Sequence, residues 1–363
     1  MVSVFTFGLA AFLVYVLCSM RVTGPGYPGS GNVFIPQVTA NMIVGFSRNV
    51  KSFRLPQYIK ITKSPRTEGK YITLTAKQAA RIVNQQDFTW PDGTPRPTGE
   101  KNAESFTYTA FNCERRDYPF GFGEMTTMQA DWQIIQQHAQ IVAQQCMTAR
   151  TMRFADLAGT SGNWPTGHTD TATNVAGGKF DVGASTTPYI KKGLNAAAKT
   201  IHKKTLGAVQ PSQLMIVMNP NEACLWAQSP EIHDYVKSSP FAQAELAQAN
   251  MNANKWGLPS TIYGYPIVVE DAVKIAYRKE ATETYAYAWP DATVMMCARQ
   301  GELEGVYGGG DFSTLTMFWW NDEFTVEAFN DPKNRRTEGH VVECTAEKMT
   351  AGISGYLFTS TSG

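Results

Sequence analysis

The chain has 363 residues, a length that allows two or three packed units, and its formal net charge is only +1. Charged residues make up 17% of the chain and aromatic residues 12%, a composition typical of a protein that buries part of its surface against neighbours. The balanced charge excludes a dedicated nucleic-acid binder, which needs an excess of Lys and Arg, and the scattered cysteines, with no CxxC pair, exclude zinc and thioredoxin-like motifs.

The N-terminal residues are predicted to form an extended arm. Residues 2–20 carry no charge and are long enough to cross a bilayer. The first basic residue, Arg21, follows this apolar run, whereas a signal peptide has its basic residues before the run. We therefore favour an apolar arm that packs on a neighbouring subunit, with a membrane anchor as the alternative. Residues 22–45 are rich in Gly and Pro and indicate extended chain.

Short strand signals follow between residues 58 and 120. The segments YIKITK (Tyr58–Lys63), KYITLT (Lys70–Thr75) and FTYTAFNC (Phe106–Cys113) are rich in β-branched and aromatic residues, and turns or loops separate them. These strands have little core of their own, and an isolated two-stranded ribbon is marginal in water. The interval therefore predicts a β-ribbon that packs on another chain.

From residue 126 the hydrophobic period changes to that of a helix. Thr126 and Gln129 fit a capping box, which predicts one helix of roughly 50 Å from Thr126 to Ala158. The loop 159–187 follows it. Apolar residues three or four positions apart form one stripe on this helix: Met128, Trp132, Ile135, Ala139, Val142, Cys146 and Ala149.

From Pro188 the pattern becomes α/β. A helix is predicted at Tyr189–Lys204 and a buried strand at Leu214–Met218. The next helix should begin at Asn219-Pro220-Asn221-Glu222, because Asn is a good N-cap and Pro is favoured at the first helical position. The segment Ala292–Ala298 indicates a further core strand.

Near the C-terminus, many charged residues lie between two strand signals. Residues 323–328 alternate polar and apolar, and His340 to Cys344 resumes as a strand, so the Asn-Asp-Pro and Glu-Gly pairs predict turns of a hairpin. The charges of this segment are therefore expected at a hairpin tip, in solvent or against another chain.

No constellation of catalytic, cofactor-binding or metal-binding residues is apparent. His168 in GHTDT, with Asp170 nearby, and His138 on the long helix are interpreted as structural residues, because no nucleophile or ligand spacing accompanies them. The run Gly308–Gly310 lacks the Lys-Ser/Thr ending of a phosphate loop and is interpreted as a flexible loop. The cysteines are predicted to be reduced, structural thiols.

The order of these elements resembles the major capsid protein of tailed bacteriophages. Three local segments carry the resemblance, namely MIVMNPNEACLW, IYGYPIVVED and RRTEGHVVECTAEKMTAGISGYLF. The resemblance implies an α+β fold with an N-terminal arm, an extended β-ribbon (the E-loop), a long spine helix with a β-hairpin (the P-domain) and a central α/β A-domain. The implied intervals are 1–45 for the arm, 46–57 for a P-domain strand, 58–123 for the E-loop, 124–187 for the spine helix and its loop, 188–320 for the A-domain and 321–363 for the P-domain hairpin and C-terminus.

The resemblance also implies a function. It indicates a virion protein without enzymatic activity, cofactor or small-molecule substrate, which is assembled in the host cytoplasm from hexamers and pentamers around double-stranded DNA held non-specifically. Portal, scaffold and decoration proteins are the further partners it implies. The alternatives are an encapsulin-like compartment shell and a surface protein anchored through residues 2–20. The candidate inter-subunit contacts are Lys63, Arg66, Lys70, Arg115, Arg116, Arg335, Arg336 and Glu338.

Overall fold

The computed structural model divides the chain into two units, Met1–Gly45 and Phe46–Gly363. The expected N-terminal arm, the apolar residues 2–20, Trp132 and the run Gly308–Gly310 lie outside the described residues. All described residues belong to the second unit, and they are 52–73, 90–95, 107–129, 134–184, 186–247, 253–276, 284–299, 312–321 and 324–363.

The described chain contains both α-helices and strands, with most of the helices between β4 and β7. The helices are α1 (Leu55–Tyr58), α2 (Glu124–Gln129), α3 (Ile134–Gly159), α4 (Ala172–Ala176), α5 (Tyr189–Lys204), α6 (Pro220–Gln228), α7 (Pro230–Ser238) and α8 (Pro240–Ala247). The strands are β1 (Lys60–Lys63), β2 (Glu68–Thr73), β3 (Thr107–Asn112), β4 (Glu114–Gly123), β5 (Thr169–Thr171), β6 (Leu214–Met218), β7 (Thr261–Ile262), β8 (Tyr265–Val269), β9 (Val273–Ala276), β10 (Thr284–Tyr287), β11 (Thr293–Ala298), β12 (Leu315–Trp319), β13 (Thr325–Asp331), β14 (Arg336–Met349) and β15 (Tyr356–Thr359).

The first sheet is built around the long strand β14. β12 and β13 pair antiparallel with β14, β4 pairs antiparallel with it as well, and β1 joins β12 in parallel. The resemblance implied that residues 58–123 form a single ribbon. The strand pairing instead places β1 and β4 of this interval in the first sheet. β1 and β4 join this sheet because the free edges of β12 and β14 offer backbone groups with which β1 and β4 can form hydrogen bonds.

The described part of the ribbon is the hairpin of β2 and β3, which pair antiparallel from Glu68–Asn112 to Thr73–Thr107. Its foot packs on β12, where the Phe111 ring stacks on Phe318 with 4.1 Å between the ring centroids. A Cβ at Gly69 would lie 2.4 Å from the Phe111 ring, so this stacking requires glycine. Tyr108, further along the hairpin, is 59% exposed.

The second sheet has the order β5-β15-β11-β6-β8-β7. Alternate residues of its strands enter two cores on opposite faces, as the two-residue period of a strand dictates. Ile216, Met296 and Phe358 pack with α5 in one core, and Val217, Met295 and Leu357 pack with the end of α3 in the other. The A-domain was expected to span 188–320. β5 and β15 lie outside this interval but belong to the second sheet, whereas β12 lies inside it but belongs to the first sheet.

The secondary-structure predictions for residues 189–222 are confirmed. α5 spans Tyr189–Lys204 and β6 spans Leu214–Met218, as expected. The Asn219 side chain caps α6 by accepting a hydrogen bond of 2.8 Å from the Glu222 backbone N–H, with Pro220 at the first helical position.

The long helix is present, and its described part is α3. α3 has 26 residues, about 39 Å at 1.5 Å per residue, and the short α2 precedes it. Val142 and Cys146 of the predicted stripe are buried, but Met128 is 71% exposed. The stripe prediction is wrong at Met128 because α2 lies beside the end of β4, where the described fold covers it little.

The C-terminal hairpin is confirmed, but the position of its turn is corrected. The turn is 332–335, with Arg335 at φ +48°, and Glu338 and Gly339 lie within β14. Gly339 is needed there because the Phe120 ring covers it: a Cβ would lie 2.1 Å from that ring. The Glu-Gly pair therefore marks a close approach between strands and not a turn.

The described cysteines are free thiols: Cys113, Cys146, Cys224, Cys297 and Cys344. Burial raises the pKa of the Cys297 thiol to about 12. This agrees with the prediction of reduced, structural thiols. In the part of the chain that the structure describes, we find no helix with the length and hydropathy of a membrane span.

His168 is a buried structural histidine. Its Nδ1 lies 2.8 Å from the Gly355 carbonyl oxygen, and its Nε2 is buried without a hydrogen-bond partner. Burial lowers the pKa of the imidazole below the usual 6.5; the bond to Gly355 opposes this shift and the charge of Lys204 adds to it.

We expect this histidine to make the folded chain sensitive to acid. The folded state binds the proton less readily than the unfolded state, so stability is complete above about pH 6.5 and falls as the pH drops below that value. The urea midpoint should therefore decrease between pH 7.5 and pH 5.5, and by less in His168→Gln, whose side chain does not titrate. Equal decreases in the two proteins would contradict this assignment.

Candidate subunit-contact site

The sequence analysis places the functional charges at the hairpin tip, but the structure also buries one charge completely in the middle of β14. Glu343 is completely buried, and its Oε2 accepts a hydrogen bond of 3.0 Å from Nε of Arg150 on α3. Its Oε1 accepts from Nη2 of Arg153, one helical turn further along α3, and from the Tyr118 hydroxyl on β4 at 3.3 Å. One carboxylate therefore joins the helix to two strands.

The ion pairs continue from this buried centre to the surface. Arg153 Nε lies 2.9 Å from Glu347 Oε1, and Arg116 Nη2 on β4 lies 3.5 Å from Glu347 Oε2 and 2.7 Å from Glu114 Oε2. The side-chain exposure rises from zero at Glu343 to 67% at Glu114. We call the set Arg116, Arg150, Arg153, Glu114, Glu343 and Glu347 the ion cluster.

The pKa values follow from burial and from these charges. Burial opposes the charged form of Arg153, but the carboxylates of Glu347 and Glu343 outweigh it and raise the pKa of the guanidinium. Burial, and then the charge of Glu343, raises the pKa of the Cys146 thiol to about 12. Arg153 thus stays charged, while the neighbouring Cys146 thiol stays neutral.

The candidate contact residues fall into two groups. Arg116, Arg336 and Glu338 are held within their own chain: Arg116 in the ion cluster, and Arg336 by Glu338 and, at 3.7 Å, by Asp331. Lys63 lies over the Trp319 ring, 4.9 Å from its centroid. Arg66, Lys70, Arg115 and Arg335 are exposed and form no ion pair with any described residue.

The outer face of the hairpin carries a histidine between an acid and an aromatic ring. His340 Nδ1 lies 2.8 Å from Asp117 Oδ2 on β4, and its ring stacks on Phe329 of β13 at 5.3 Å. Phe329 and Val326 are each 49% exposed on β13. In the described sheet, β13 pairs only with β14, so this edge presents apolar side chains beside unpaired backbone groups.

The sequence reading missed the ion cluster. It placed Glu343 in the strand that follows the hairpin tip and gave it no partner, whereas the structure buries it because the arginines of α3 cover that face of β14. The available signal was the spacing of Arg150 and Arg153, three residues apart on a predicted helix, and one carboxylate in the apolar run VVECTA. Among the described residues, no group of His, Cys, Asp and Glu has the arrangement of a metal site.

Comparison with known proteins identifies the fold. No family model and no curated protein sequence matches the chain. Among solved structures, a phage-related protein from Bordetella bronchiseptica RB50 matches with a TM-score of 0.57 and 14% identity, over 86% of this chain and 93% of that one. The capsid structure of cyanophage P-SCSP1u matches with a TM-score of 0.54 and 11% identity, over 92% of this chain and 96% of that one. The capsid of a native GTA particle gives 0.50 and 12%, over 94% and 100%.

These structures have the α+β fold that the order of sequence elements predicted. The identities are low, so the likeness shows the fold and leaves the residues of individual contacts to be argued from this chain alone. The chain has the fold of phage capsid proteins.

Removing the central carboxylate should destabilise the chain. Glu343→Gln keeps the shape of the side chain but removes the negative charge that faces the buried guanidinium of Arg150, whose side chain is 4% exposed, and this loss costs about 3–5 kcal/mol. Glu114→Gln is the matched control, because Glu114 is exposed and a surface pair contributes about 1 kcal/mol or less. Urea unfolding measures both, and similar small losses would show that the ion cluster does not hold α3 to the sheet.

Proposed function

We propose that the chain is the major capsid protein of a tailed bacteriophage. In this proposal, copies of the chain assemble as hexamers and pentamers into an icosahedral shell that encloses double-stranded DNA. The observation that carries the proposal is the match to the cyanophage capsid chain, which spans nearly all of both chains. The proposal assigns no catalysis and no cofactor, and it places the protein in the virion after assembly in the host cytoplasm.

The exposed features of the described fold support assembly with further copies. The foot of the ribbon packs on its own chain through Phe111, whereas Tyr108 further along is exposed. β9 and β10 pair with each other as a separate two-stranded sheet, in which Val273, Ile275 and Tyr285 are 47%, 53% and 67% exposed. Such apolar surface is typical of a chain that buries it against partners.

The charged candidate contact residues have two proposed roles, which depend on whether they form ion pairs within their own chain. Arg66, Lys70, Arg115 and Arg335 are proposed to meet acidic groups of neighbouring subunits, since they are exposed and form no ion pair in the described chain. Arg116, Arg336 and Glu338 are proposed to position the strands that carry these contacts. Portal, scaffold and decoration proteins would bind the assembled shell.

Electron microscopy of the purified full-length protein tests the function directly. Closed particles support a shell, and protein that stays with membranes after a carbonate wash supports the surface-anchor alternative. Nuclease-protected double-stranded DNA in particles isolated from the source supports a phage capsid, and particles filled with protein cargo support the encapsulin-like compartment.

We expect the ribbon to be required for closed shells. Thr73 pairs with Thr107, so replacing residues 74–106 by Asn-Gly closes β2 and β3 into a two-residue hairpin without disturbing their register. This variant should keep the circular dichroism of the folded chain but form no closed particles, because its contact with the next subunit is lost.

A second variant replaces residues 74–106 by a Gly/Ser segment of equal length, which keeps the reach of the ribbon and removes its side chains. It should also fail to form closed particles if the side chains make the contact. Particles of normal size from the Asn-Gly variant would refute the role of the ribbon.

A further inference from the structure

The helix α5 concentrates positive charge on one face. Its 16 residues, YIKKGLNAAAKTIHKK, include five lysines and no acidic residue. Ile190, Leu194, Ala197 and Ile201 are buried in the core. At about 100° per residue, four of the lysines lie within an arc of roughly 120° on the opposite side. These four, which we call the lysine face, are Lys191, Lys192, Lys199 and Lys203.

The lysine face is exposed and is not neutralised by the described fold. All four lysines are exposed, and none forms an ion pair with a described residue. Lys191 lies over the Tyr263 ring at 5.5 Å, which supports its stem and leaves the charge unpaired. The fold thus holds four positive charges on one face along about 18 Å of helix, where they repel one another.

Helix stability does not explain this arrangement. Cations are favourable at the C-terminal end of a helix, but Lys191 and Lys192 lie in its first turn, where the helix dipole disfavours positive charge. The buried Glu231 carboxylate at that end is already used, because it accepts hydrogen bonds from the backbone N–H groups of Ile190 and Lys191 at 2.9 and 2.8 Å.

The chemistry of the face fits a nucleic-acid backbone better than a protein. The other outward residues of the same arc, Asn195 and His202, are polar, so α5 itself contributes no apolar or aromatic anchor to the face. Lys is depleted at the centres of protein interfaces, where aromatic residues and Arg are enriched. Rows of Lys are the usual means of binding phosphates without reading sequence.

We propose that the lysine face binds the phosphate backbone of duplex DNA independently of sequence. The inference rests on the proposed capsid function. In the assembled shell, α5 would line the surface that faces the packaged DNA. A single subunit binds weakly, in agreement with the net charge of +1. Many copies held in one shell add their contacts along the same duplex.

Fluorescence anisotropy of a labelled duplex with the full-length protein, titrated with salt, tests the proposal. Four phosphate contacts predict that the affinity falls roughly 150-fold between 50 and 200 mM salt, since each contact contributes about −0.9 to the logarithmic slope. The triple variant Lys192→Gln/Lys199→Gln/Lys203→Gln should bind more weakly at 50 mM salt and lose only roughly 3- to 4-fold over the same range.

The matched control removes the same charge elsewhere. Lys237→Gln/Lys255→Gln/Lys333→Gln changes three exposed lysines outside α5 and should keep the wild-type salt slope. Equal losses in the two triple variants would show that binding follows net charge alone and would overturn the proposal. Binding of polyglutamate in place of the duplex would identify an acidic protein as the partner and would overturn it as well.

Electron microscopy of the same variants separates this inference from the proposed function. Closed particles from the α5 variant, together with a reduced salt slope, support both. A reduced slope in a chain that forms no particles supports the DNA-binding face and refutes the shell. An unchanged slope in a chain that forms particles refutes the face and leaves the shell supported.

Discussion

The position of the long helix depends on one buried carboxylate. Glu343 binds Arg150 and Arg153 of α3 and the Tyr118 hydroxyl of β4, so the first sheet and the helix share a single set of charges. Beyond this set, Phe154, Ala155 and Ala158 of α3 enter the core of the second sheet. The helix therefore fixes the two sheets relative to each other, and its register is set by ion pairs that a slip of one residue would leave unpaired and buried.

Both faces of β14 are covered over residues 341–346, which are all buried. Glu343, Thr345 and Glu347 point towards α3, while Cys344 and Ala346 pack with Phe111 and Cys113 at the foot of the ribbon. Alternation normally assigns the polar residues of a strand to solvent. Here the polar face is buried by the arginines of the helix, a fact that depends on a partner almost two hundred residues away.

The sequence predicted those elements whose causes are local. The limits of α5 and β6 and the Asn219 cap depend on neighbouring residues, on hydrophobic period and on capping chemistry, and all three were correct. The pairing of β4 with β14 and of β5 with β15 depends on backbone edges that meet only in the folded chain. The exposed charges of the candidate site could be predicted from the turn residues around them. The sequence could not show which of these charges already form ion pairs within the chain.

Net charge describes a chain as a whole, whereas contacts are made by faces. A value of +1 hides an ion cluster whose charges cancel inside the first sheet and a helix α5 that carries lysines alone. A subunit of a closed shell has to present different chemistry to its neighbours and to the contents of the shell. The apolar residues of β9, β10 and β13 suit the first task, because burial of apolar surface holds copies together. The lysine face suits the second, because charge binds a polyanion without fixing its position. The segregation of these surfaces, more than any single residue, is what the proposed function requires of this fold.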